Sequence, residues 1–285
     1  MPNEAIISVR NVRYKYPTSP NWILRTISLD VYRGEFLGIV GTTGAGKTTL
    51  CQCFNGLIPH YTLGKYEGKV VVEGRNTRET DVSDLSTKVG LVFQDADAQL
   101  VMSSVLEEAM LGLNMRGIPS HEAKEQAFQS LEELGITHLA DRPPSALSGG
   151  QKQRAAIAAV MTMQPDILVL DEATSELDSR TVHRIFDMCQ HLNEQGTTIV
   201  LVSHEMELLS QFADRLVLVD DGQVMLEGPP REVFKQAKIF HRLGVRLPQL
   251  TDFALAIADQ LPLDLIPLTI EEAATAIISA AGDRP

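Results

Sequence analysis

A glycine-rich stretch, GTTGAGKT, carries the residue types that bind phosphate groups. Glycines let successive backbone N–H groups turn toward an anion, and a helix that begins directly afterwards adds the partial positive charge of its N-terminus. Lys47 supplies a point charge to the outer phosphates, and the hydroxyl of Thr48 can complete the shell of a magnesium ion. The stretch therefore predicts a nucleoside triphosphate site with Mg²⁺, whose contacts are Gly41, Thr42, Thr43, Gly44, Ala45, Gly46, Lys47, Thr48 and Thr49.

Other candidate residues each come directly after an apolar run: Gln94, Asp171 with Glu172, and His204. Ligands of parallel sheets bind at the carboxyl ends of the strands, so one crevice can collect all four side chains. A carboxylate suits Mg²⁺, and a second carboxylate beside it can orient an attacking water. We therefore expect Asp171 to hold the metal, Glu172 to be catalytic, His204 to contact the γ-phosphate, and Gln94 to reach both metal and water.

A second glycine-broken stretch, LSGGQKQR, lies about a hundred residues after the first. Ser148 offers a hydroxyl, Gly149 and Gly150 allow close backbone approach, and a following helix would favour an anion. The stretch has no lysine at the position where the first loop has one. It therefore indicates an anion site that relies on a lysine supplied from elsewhere.

An aromatic side chain near the start of the chain is a candidate for stacking on the base of the nucleotide. Tyr14 and Tyr16 both precede Pro17 on a predicted strand, and we assign the stacking role to Tyr16. No side chain that reads the base edge is identifiable, so the composition alone does not separate ATP from GTP.

The elements that must position these residues are visible as patterns. FLGIVG, VGLVFQ, DILVLDEA and TIVLVSH are continuous apolar runs, typical of parallel strands buried on both faces. IISVRNVRYKY, ILRTISLDVYRGEF and EGKVVVEGRNT alternate apolar with polar residues, which predicts half-exposed antiparallel strands. Between Gln94 and LSGGQKQR, the sequence predicts helices with Ser120 as an N-cap and Gly135 as a C-cap.

The last part of the chain has a different character. TDFALAIADQL and TIEEAATAIISAAG predict two short amphipathic helices, with Thr251 and Thr269 as N-caps and LPLDLIPL as a connector between them.

Composition excludes several classes of protein. The chain has 285 residues, a formal charge of -12 and no dense block of lysine and arginine, so we expect no nucleic-acid partner. Its three cysteines, Cys51, Cys53 and Cys189, lack the spacing of a metal site or a disulfide framework, which fits a reducing cytoplasm. The opening residues lack a basic start followed by an apolar run, and no apolar stretch reaches roughly 18 residues. We therefore expect neither a secretion signal nor a membrane span.

Taken in order over about residues 5–235, GTTGAGKT, Gln94, LSGGQKQR, ILVLDEATSELD and His204 resemble the nucleotide-binding subunit of an ATP-binding cassette (ABC) transporter. The resemblance implies an α/β fold, the P-loop NTPase cassette, with a mostly parallel core sheet, an antiparallel β subdomain and a helical signature subdomain. It implies a cassette at residues 1–240, with its helical subdomain at about 96–150, which leaves a helical extension at 241–285. It also implies ATP hydrolysis with Mg²⁺.

The resemblance assigns roles across two subunits. In this family the LSGGQ stretch binds the γ-phosphate of ATP held by the second ATPase subunit of a head-to-tail dimer, which answers where the lysine comes from. The second subunit is either the same chain or a related ATPase. The implied residues of this stretch are Ser148, Gly149, Gly150 and Gln151. Asp178 is implied at the dimer contact, Tyr16 at adenine and Gln94 in a coupling loop. Glu176 departs from the commoner alanine or methionine, for which we expect only a local effect on the dimer contact.

A narrower likeness is to the ATPase subunits of energy-coupling factor importers, which take up vitamins and transition-metal ions. It rests on FNGLIPHYTLGKYEGKVVVEGRNT, on VGLVFQDADAQLVMSSVLEEAMLGLNMRGI and on the tail FHRLGVRLPQLTDFALAI. It implies a peripheral protein on the cytoplasmic face of the cell membrane, with a membrane-embedded scaffold and substrate-binding subunits as partners. It also implies that the tail, residues 241–285, joins the two ATPase subunits. QDADAQ departs from the usual asparagine and proline after the first glutamine.

Three alternatives remain at this point. The nearest is the ATPase of an ordinary ABC importer or exporter, the same enzyme on a different scaffold. A DNA-maintenance ATPase with this signature would carry a long coiled-coil insertion, and the spacing here has none. A translation factor of the family would carry two cassettes joined by a basic linker, whereas this chain has one acidic cassette.

Overall fold

The computed structural model describes residues 4–175, 177–257 and 266–282 of the chain. Its strands are β1 (Ala5–Lys15), β2 (Leu24–Tyr32), β3 (Phe36–Gly41), β4 (Lys65–Val72), β5 (Arg75–Asn76), β6 (Val89–Val92), β7 (Ile167–Asp171), β8 (Thr198–Val202), β9 (Arg215–Asp220) and β10 (Gln223–Gly228). Its helices are α1 (Lys47–Phe54), α2 (Leu57–His60), α3 (Val82–Leu85), α4 (Val105–Met115), α5 (Ser120–Glu133), α6 (Gly149–Met161), α7 (Ser179–Glu194), α8 (Met206–Phe212), α9 (Pro230–Phe234), α10 (Ala237–Leu243), α11 (Gln249–Ile257) and α12 (Ile270–Gly282). Glu176 and most of the LPLDLIPL connector lie outside the described residues.

The larger sheet has the strand order β10-β9-β3-β8-β7-β6. All neighbours in it are parallel except β10, which runs antiparallel to β9. The four apolar runs predicted as buried parallel strands are thus confirmed as β3, β6, β7 and β8. Because these four lie side by side, the residues that follow their carboxyl ends lie along one edge of the sheet.

Alternate residues of the central strands pack into two hydrophobic cores, one on each face of the sheet. In β8, Ile199 and Leu201 belong to the core shared with the helical layer, while Val200 and Val202 belong to the core beneath the antiparallel sheet. Every residue of β8 is buried. Burial on both faces explains why these strands are continuous apolar runs in the sequence.

The smaller sheet is antiparallel, with the order β2-β1-β4-β5. Its strands alternate buried with exposed residues, as in β2, where Leu24, Ile27, Leu29 and Val31 are buried. The predicted antiparallel strands are therefore confirmed. This sheet covers one face of the larger sheet and supplies the aromatic residues near the nucleotide loop.

Helices α4, α5 and α6 pack on one another and form the helical layer. The backbone N–H of Glu107 donates to the hydroxyl of Ser104, which caps α4. Ser120 is the first residue of α5 rather than its N-cap, because the cap position is Pro119. The prediction of Ser120 as N-cap was therefore wrong by one residue. Gly135 follows the end of α5 with a φ of +65°, the left-handed conformation that ends helices.

Each of the two C-terminal helices, α11 and α12, was predicted to begin at a threonine N-cap. Thr269 accepts from the backbone N–H of Glu272 and caps α12, as predicted. Thr251 lies inside α11, where it is fully buried and donates to the carbonyl of Pro267, so the prediction of an N-cap at Thr251 was wrong. Helix α10 runs through residue 240, at the expected boundary of the extension. Within the described part of the chain, no helix is both long and apolar enough to cross a membrane.

Candidate functional site

The phosphate loop occupies the turn between β3 and α1, as the sequence predicts. Gly41 has a φ of +154°, and a Cβ there would lie 1.9 Å from the carbonyl oxygen of Val219. Gly46 has a φ of +99°, and a Cβ there would approach Ile23 and Leu24. Glycine is therefore required at both positions by conformation and by space. Thr43 and Gly44 are exposed at the tip of the loop.

Lys47 is the buried cation of this loop. Its side chain is 4% exposed, and its ammonium donates to the carbonyls of Gly41 and Thr42 at 3.1 and 3.0 Å. The same nitrogen lies 3.2 Å from Oε1 of Glu172. These contacts fix the charge at the base of the loop, where the outer phosphates of a nucleotide would meet it.

Asp171 meets the requirements of a magnesium ligand. The residue is 1% exposed, and its Oδ1 is buried with no hydrogen-bond partner among the described residues. Burial raises the pKa of Asp171 from 3.8 to about 6, which the adjacent hydroxyl of Thr48 and charge of Lys47 only partly oppose. A cation beside this oxygen would satisfy it and favour the ionised form. Asp171 and Thr48 would hold Mg²⁺, which when bound neutralises charge on the phosphate oxygens.

Glu172 and His204 face each other across the ends of β7 and β8. His204 Nε2 lies 3.3 Å from Glu172 Oε1, and the side chain of Glu172 is 15% exposed. Glu172 has a φ of +50°, unusual for a residue with a side chain, and its backbone N–H donates to Val202 at 3.0 Å. A left-handed backbone of this kind costs about 1–3 kcal/mol and persists where surrounding structure holds it. It directs the carboxylate to the same point as Lys47.

Gln94 is exposed on the loop after β6, next to β7. No hydrogen bond of its side chain joins it to the other candidate residues within the part of the chain that the structure describes. The backbone of its neighbour Phe93 is bound on both sides: Gln99 Oε1 accepts from the N–H at 3.0 Å, and Gln153 Nε2 donates to the carbonyl at 3.0 Å.

The structure distinguishes between the two tyrosines considered for base stacking. Tyr14 is fully buried, and its hydroxyl donates to the carbonyl of Leu63 at 2.8 Å. Tyr16 is half-buried, and its hydroxyl lies 3.1 Å from that of Thr49, which is itself buried. Tyr16 is therefore tied to the helix that follows the phosphate loop, and its ring remains accessible beside it.

The signature stretch forms the start of α6, as predicted. Ser148 is the N-cap: its hydroxyl accepts from the N–H of Gln151, and the Gln151 side chain accepts from the N–H of Ser148 at 3.0 Å. Gly149 and Gly150 are the first residues of the helix. This capping box orders the first turn of α6.

Asp178 lies in the same cleft as the signature and caps α7. It accepts from the backbone N–H and the hydroxyl of Thr181 at 3.0 and 2.7 Å, and the bonds from Thr181 lower its pKa. The cleft is lined by Ser148, Gly149, Gly150, Gln151, Arg154, Leu177, Asp178 and Thr181. A separate cleft is lined by Gly41, Thr42 and Thr43 of the phosphate loop, by His204, and by residues 243–246 at the end of α10. The structure thus brings Lys47, Thr48, Asp171, Glu172 and His204 together, and gathers the signature residues with Asp178 elsewhere.

The sequence analysis missed some residues that shape these clefts. Asp220, at the end of β9, accepts from the hydroxyl of Thr42 at 2.7 Å and so braces the phosphate loop. The apolar run LVLV followed by the Asp221–Gly222 turn was a usable hairpin signal, because both turn residues have positive φ. Arg154 lines the signature cleft, and Gln153 binds Phe93 beside Gln94. Both residues belong to LSGGQKQR, and this membership was the sequence feature that could have identified them.

The arrangement can support phosphoryl transfer to water. A buried ammonium sits beside a loop of backbone N–H groups, and a buried carboxylate lies beside a threonine hydroxyl, with one oxygen that has no partner among the described residues. The Glu172 carboxylate lies within hydrogen-bonding reach of both Lys47 and His204. Fixed charges of this kind position a phosphate chain and a water rather than form covalent bonds to them.

The chain is similar to known proteins in sequence and in fold. The sequence model of the family described as ABC transporter matches residues 24–175. A putative ABC transporter ATP-binding protein of Pyrococcus abyssi is 45% identical over 244 residues, which cover 85% of this chain and 87% of the relative. The energy-coupling factor transporter ATP-binding protein EcfA of Methanothermobacter thermautotrophicus is 36% identical over 249 residues, covering 87% of this chain and 78% of the relative.

A similar solved structure is that of cbiO1 from Clostridium perfringens, described as part of the ABC transporter complex cbiONQ. It superposes with a TM-score of 0.70 at 32% sequence identity, covering 86% of this chain and 97% of that protein.

Proposed function

We propose a role in membrane transport from one premise: the chain belongs to the ABC transporter family and is an ATP-hydrolysing transporter subunit, which binds ATP with Mg²⁺. Specifically, we propose that it powers an importer of the energy-coupling factor type, for a vitamin or a transition-metal ion. It would act as a peripheral subunit on the cytoplasmic face of the cell membrane.

The proposed catalytic residues are Glu172, which orients the attacking water, and His204, which holds the γ-phosphate. The observation that carries this assignment is the convergence of Lys47 and His204 on one carboxylate oxygen of Glu172. The proposed ligands of Mg²⁺ are Thr48, Gln94 and Asp171. The proposed nucleotide contacts are Tyr16, the loop residues 41–49, and Gln94.

The signature residues 148–151 and Asp178 are proposed to serve ATP held by a second ATPase subunit. They line a cleft that shares no residue with the cleft of the phosphate loop. The signature has backbone donors and a hydroxyl but no lysine, whereas Lys47 is fully engaged at its own loop. The signature therefore lacks the cation that a phosphate loop supplies, which suits a head-to-tail ATP sandwich whose closure is the mechanical step.

The energy-coupling factor type is supported by the C-terminal helices and by two of the comparisons. EcfA of Methanothermobacter is named for such a transporter, and cbiO1 is described as part of a complex. Phe253 and Ile270 of the C-terminal helices are 50% and 72% exposed. Exposed large apolar side chains at such positions fit contact with another subunit. We propose that residues 241–285 are the extension that joins two ATPase subunits, beside a cassette at residues 1–240 with its helical subdomain at about 96–150.

A second candidate is the ATPase of an ordinary ABC importer or exporter. It is favoured by the Pyrococcus relative, whose name specifies no subtype.

Purification of the native complex from gently solubilised membranes tests the proposal. We expect small membrane-embedded scaffold and substrate-binding chains, together with a second ATPase subunit. Recovery with only large paired membrane chains would favour the ordinary ABC alternative. Recovery without membrane chains, or with nucleic acid, would refute the proposed role.

A further inference from the structure

Phe93, the residue before Gln94, has both of its backbone polar groups bound by glutamine side chains. Gln99 Oε1 accepts from its N–H at 3.0 Å, and Gln153 Nε2 donates to its carbonyl at 3.0 Å. Gln99 belongs to the same loop, and its amide also donates to Leu91 at 3.4 Å. Gln153 belongs to α6, the helix that begins at the signature. The loop that carries Gln94 is therefore bound to the signature helix through one amide.

Gln153 can transmit a movement of α6 to the loop that carries Gln94, because its side chain is buried. Its residue is 4% exposed, so its bond to Phe93 does not compete with bulk water. A second contact lies one residue earlier, where the ammonium of Lys152 lies 2.6 Å from Oδ1 of Asp97. Asp97 is 68% exposed there, so this pair is screened and contributes less. The amide bond is the main link and the ion pair a supporting one.

Helix α6 connects this link to Ser148 over a short distance. Gln153 follows Ser148 by five residues, which is about 7.5 Å of helix at 1.5 Å per residue. The capping box of Ser148 and Gln151 orders the first turn. A shift at the signature is therefore carried to Gln153 by a hydrogen-bonded helix rather than absorbed by a loop.

We propose that Gln153 is a positioning residue that couples the two ATP sites of the dimer. This inference rests on the head-to-tail arrangement proposed above, in which Ser148 meets the partner's ATP and Gln94 meets this chain's own. Engagement of the signature fixes α6, and Gln153 then fixes Phe93 and with it Gln94. Occupancy of one site thus orders the metal and water contacts of the other, so hydrolysis is cooperative between them.

The test is the ATP dependence of hydrolysis by the purified dimer. We expect the unmodified chain to show a Hill coefficient clearly above 1, within the limit of about 2 set by two sites. Gln153→Glu keeps the shape of the side chain, but its carboxylate cannot donate to the Phe93 carbonyl at pH 8. We expect the Hill coefficient to fall to 1, with coupling between sites lowered at least about fivefold.

A purely structural role would not produce this pattern. ATP-dependent dimerisation, measured by sedimentation, should persist in Gln153→Glu while cooperativity is lost. Gln129→Glu on α5 is the matched control, because Gln129 is exposed in the same helical layer, and it should leave the Hill coefficient unchanged.

A second variant decides the matter if Gln153→Glu does not fold. Gln153→Met has a similar length, buries no charge and has no donor for the Phe93 carbonyl, so it should also lower the Hill coefficient to 1. A Hill coefficient of 1 in the unmodified chain would overturn the inference, as would an unchanged coefficient in a folded Gln153 variant. If the unmodified chain does not form ATP-dependent head-to-tail cross-links, the proposed function fails instead.

Discussion

The carboxylate of Glu172 lies 3.2 Å from the ammonium of Lys47, so the proposed water-orienting group and the phosphate-binding charge share one point. His204 reaches the same oxygen at 3.3 Å. The left-handed backbone of Glu172 turns its side chain toward this point, while Asp171 before it remains in β7. The two consecutive carboxylates therefore point to different places, because Asp171 ends the strand and Glu172 begins the turn.

Glu172→Gln should separate binding from hydrolysis. The amide keeps the size and a hydrogen-bonding oxygen but loses the charge that orients water, so we expect hydrolysis to fall at least about a hundredfold. ATP should still bind, and dimers should accumulate with it. Turnover and nucleotide binding measured on the same preparation check this. Glu205→Gln, one residue beyond His204 and exposed, is the matched control. Near-normal turnover in Glu172→Gln would remove this residue from catalysis.

Asp171→Asn should stabilise the protein in EDTA while abolishing stabilisation by magnesium and ATP. Burying an ionised carboxylate with an unpartnered oxygen is costly, and the neutral amide avoids most of that cost at pH 8. We expect the melting temperature in EDTA to rise by a few degrees, since 1 kcal/mol corresponds to about 2–4 °C in a chain of this size. Asp187→Asn on the exposed face of α7 should change neither value. A lower melting temperature in EDTA would contradict the burial argument.

Arg231→Ala should detach α12 from the cassette. Arg231 donates to the carboxylate of Glu272 and to the carbonyl of Ile266, and the bond from Arg231 lowers the pKa of Glu272. Because the folded-state pKa is lowered, this contact stabilises the chain above the ordinary value of 4.5 and is lost as pH falls through the lowered value. Protection of the α12 amides, taken as the ratio of the intrinsic to the observed exchange rate at each pH, should fall in Arg231→Ala at pH 7 and in the unmodified chain under acid.

The matched control for this prediction is Lys235→Ala, which removes only an exposed ion pair with Glu232. Exchange in α12 that is equally slow in both variants would show that Arg231 does not hold the helix.

Phe253→Ser with Ile270→Ser should weaken self-association without nucleotide. Truncation after residue 240 is a poorer test, because it would cut α10 and disturb the buried Phe240 and Leu247. The two substitutions remove exposed apolar surface and leave the core intact. Sedimentation should show weaker association while nucleotide binding persists. Met115→Ser, at an 81% exposed position of the helical layer, is the control. Unchanged association would reject the joining role of residues 241–285.

Patterns with a single physical cause were predictable from the sequence. Burial on both faces makes β3, β6, β7 and β8 continuous apolar runs, and their parallel pairing places the residues after them along one edge. The phosphate loop was predictable because Gly41 and Gly46 have no room for a side chain. Thr251 was not, because the contact that buries it comes from Pro267, which is distant in sequence. The Glu172 contacts likewise depend on a backbone angle that composition does not encode.

The central claim is that the signature serves ATP bound to the partner, and forced pairing of two variant chains tests it most directly. Pair a Lys47→Ala chain with a Ser148→Arg chain, and compare it with a Lys47→Ala, Ser148→Arg chain paired with an unmodified one. If each site combines the phosphate loop of one chain with the signature of the other, the first pairing has one intact site and the second has none. If both elements of a site come from one chain, the first pairing has no intact site and the second has one.

One cysteine replaces exposed residue 43 in the chain that keeps Lys47, and another replaces exposed residue 146 in its partner. A cross-link between the two cysteines reports contact of the phosphate loop of one chain with the signature of the other. The native cysteines are buried and do not compete. We expect an ATP-dependent cross-link and residual hydrolysis in the first pairing and neither in the second. The opposite order would contradict the head-to-tail account.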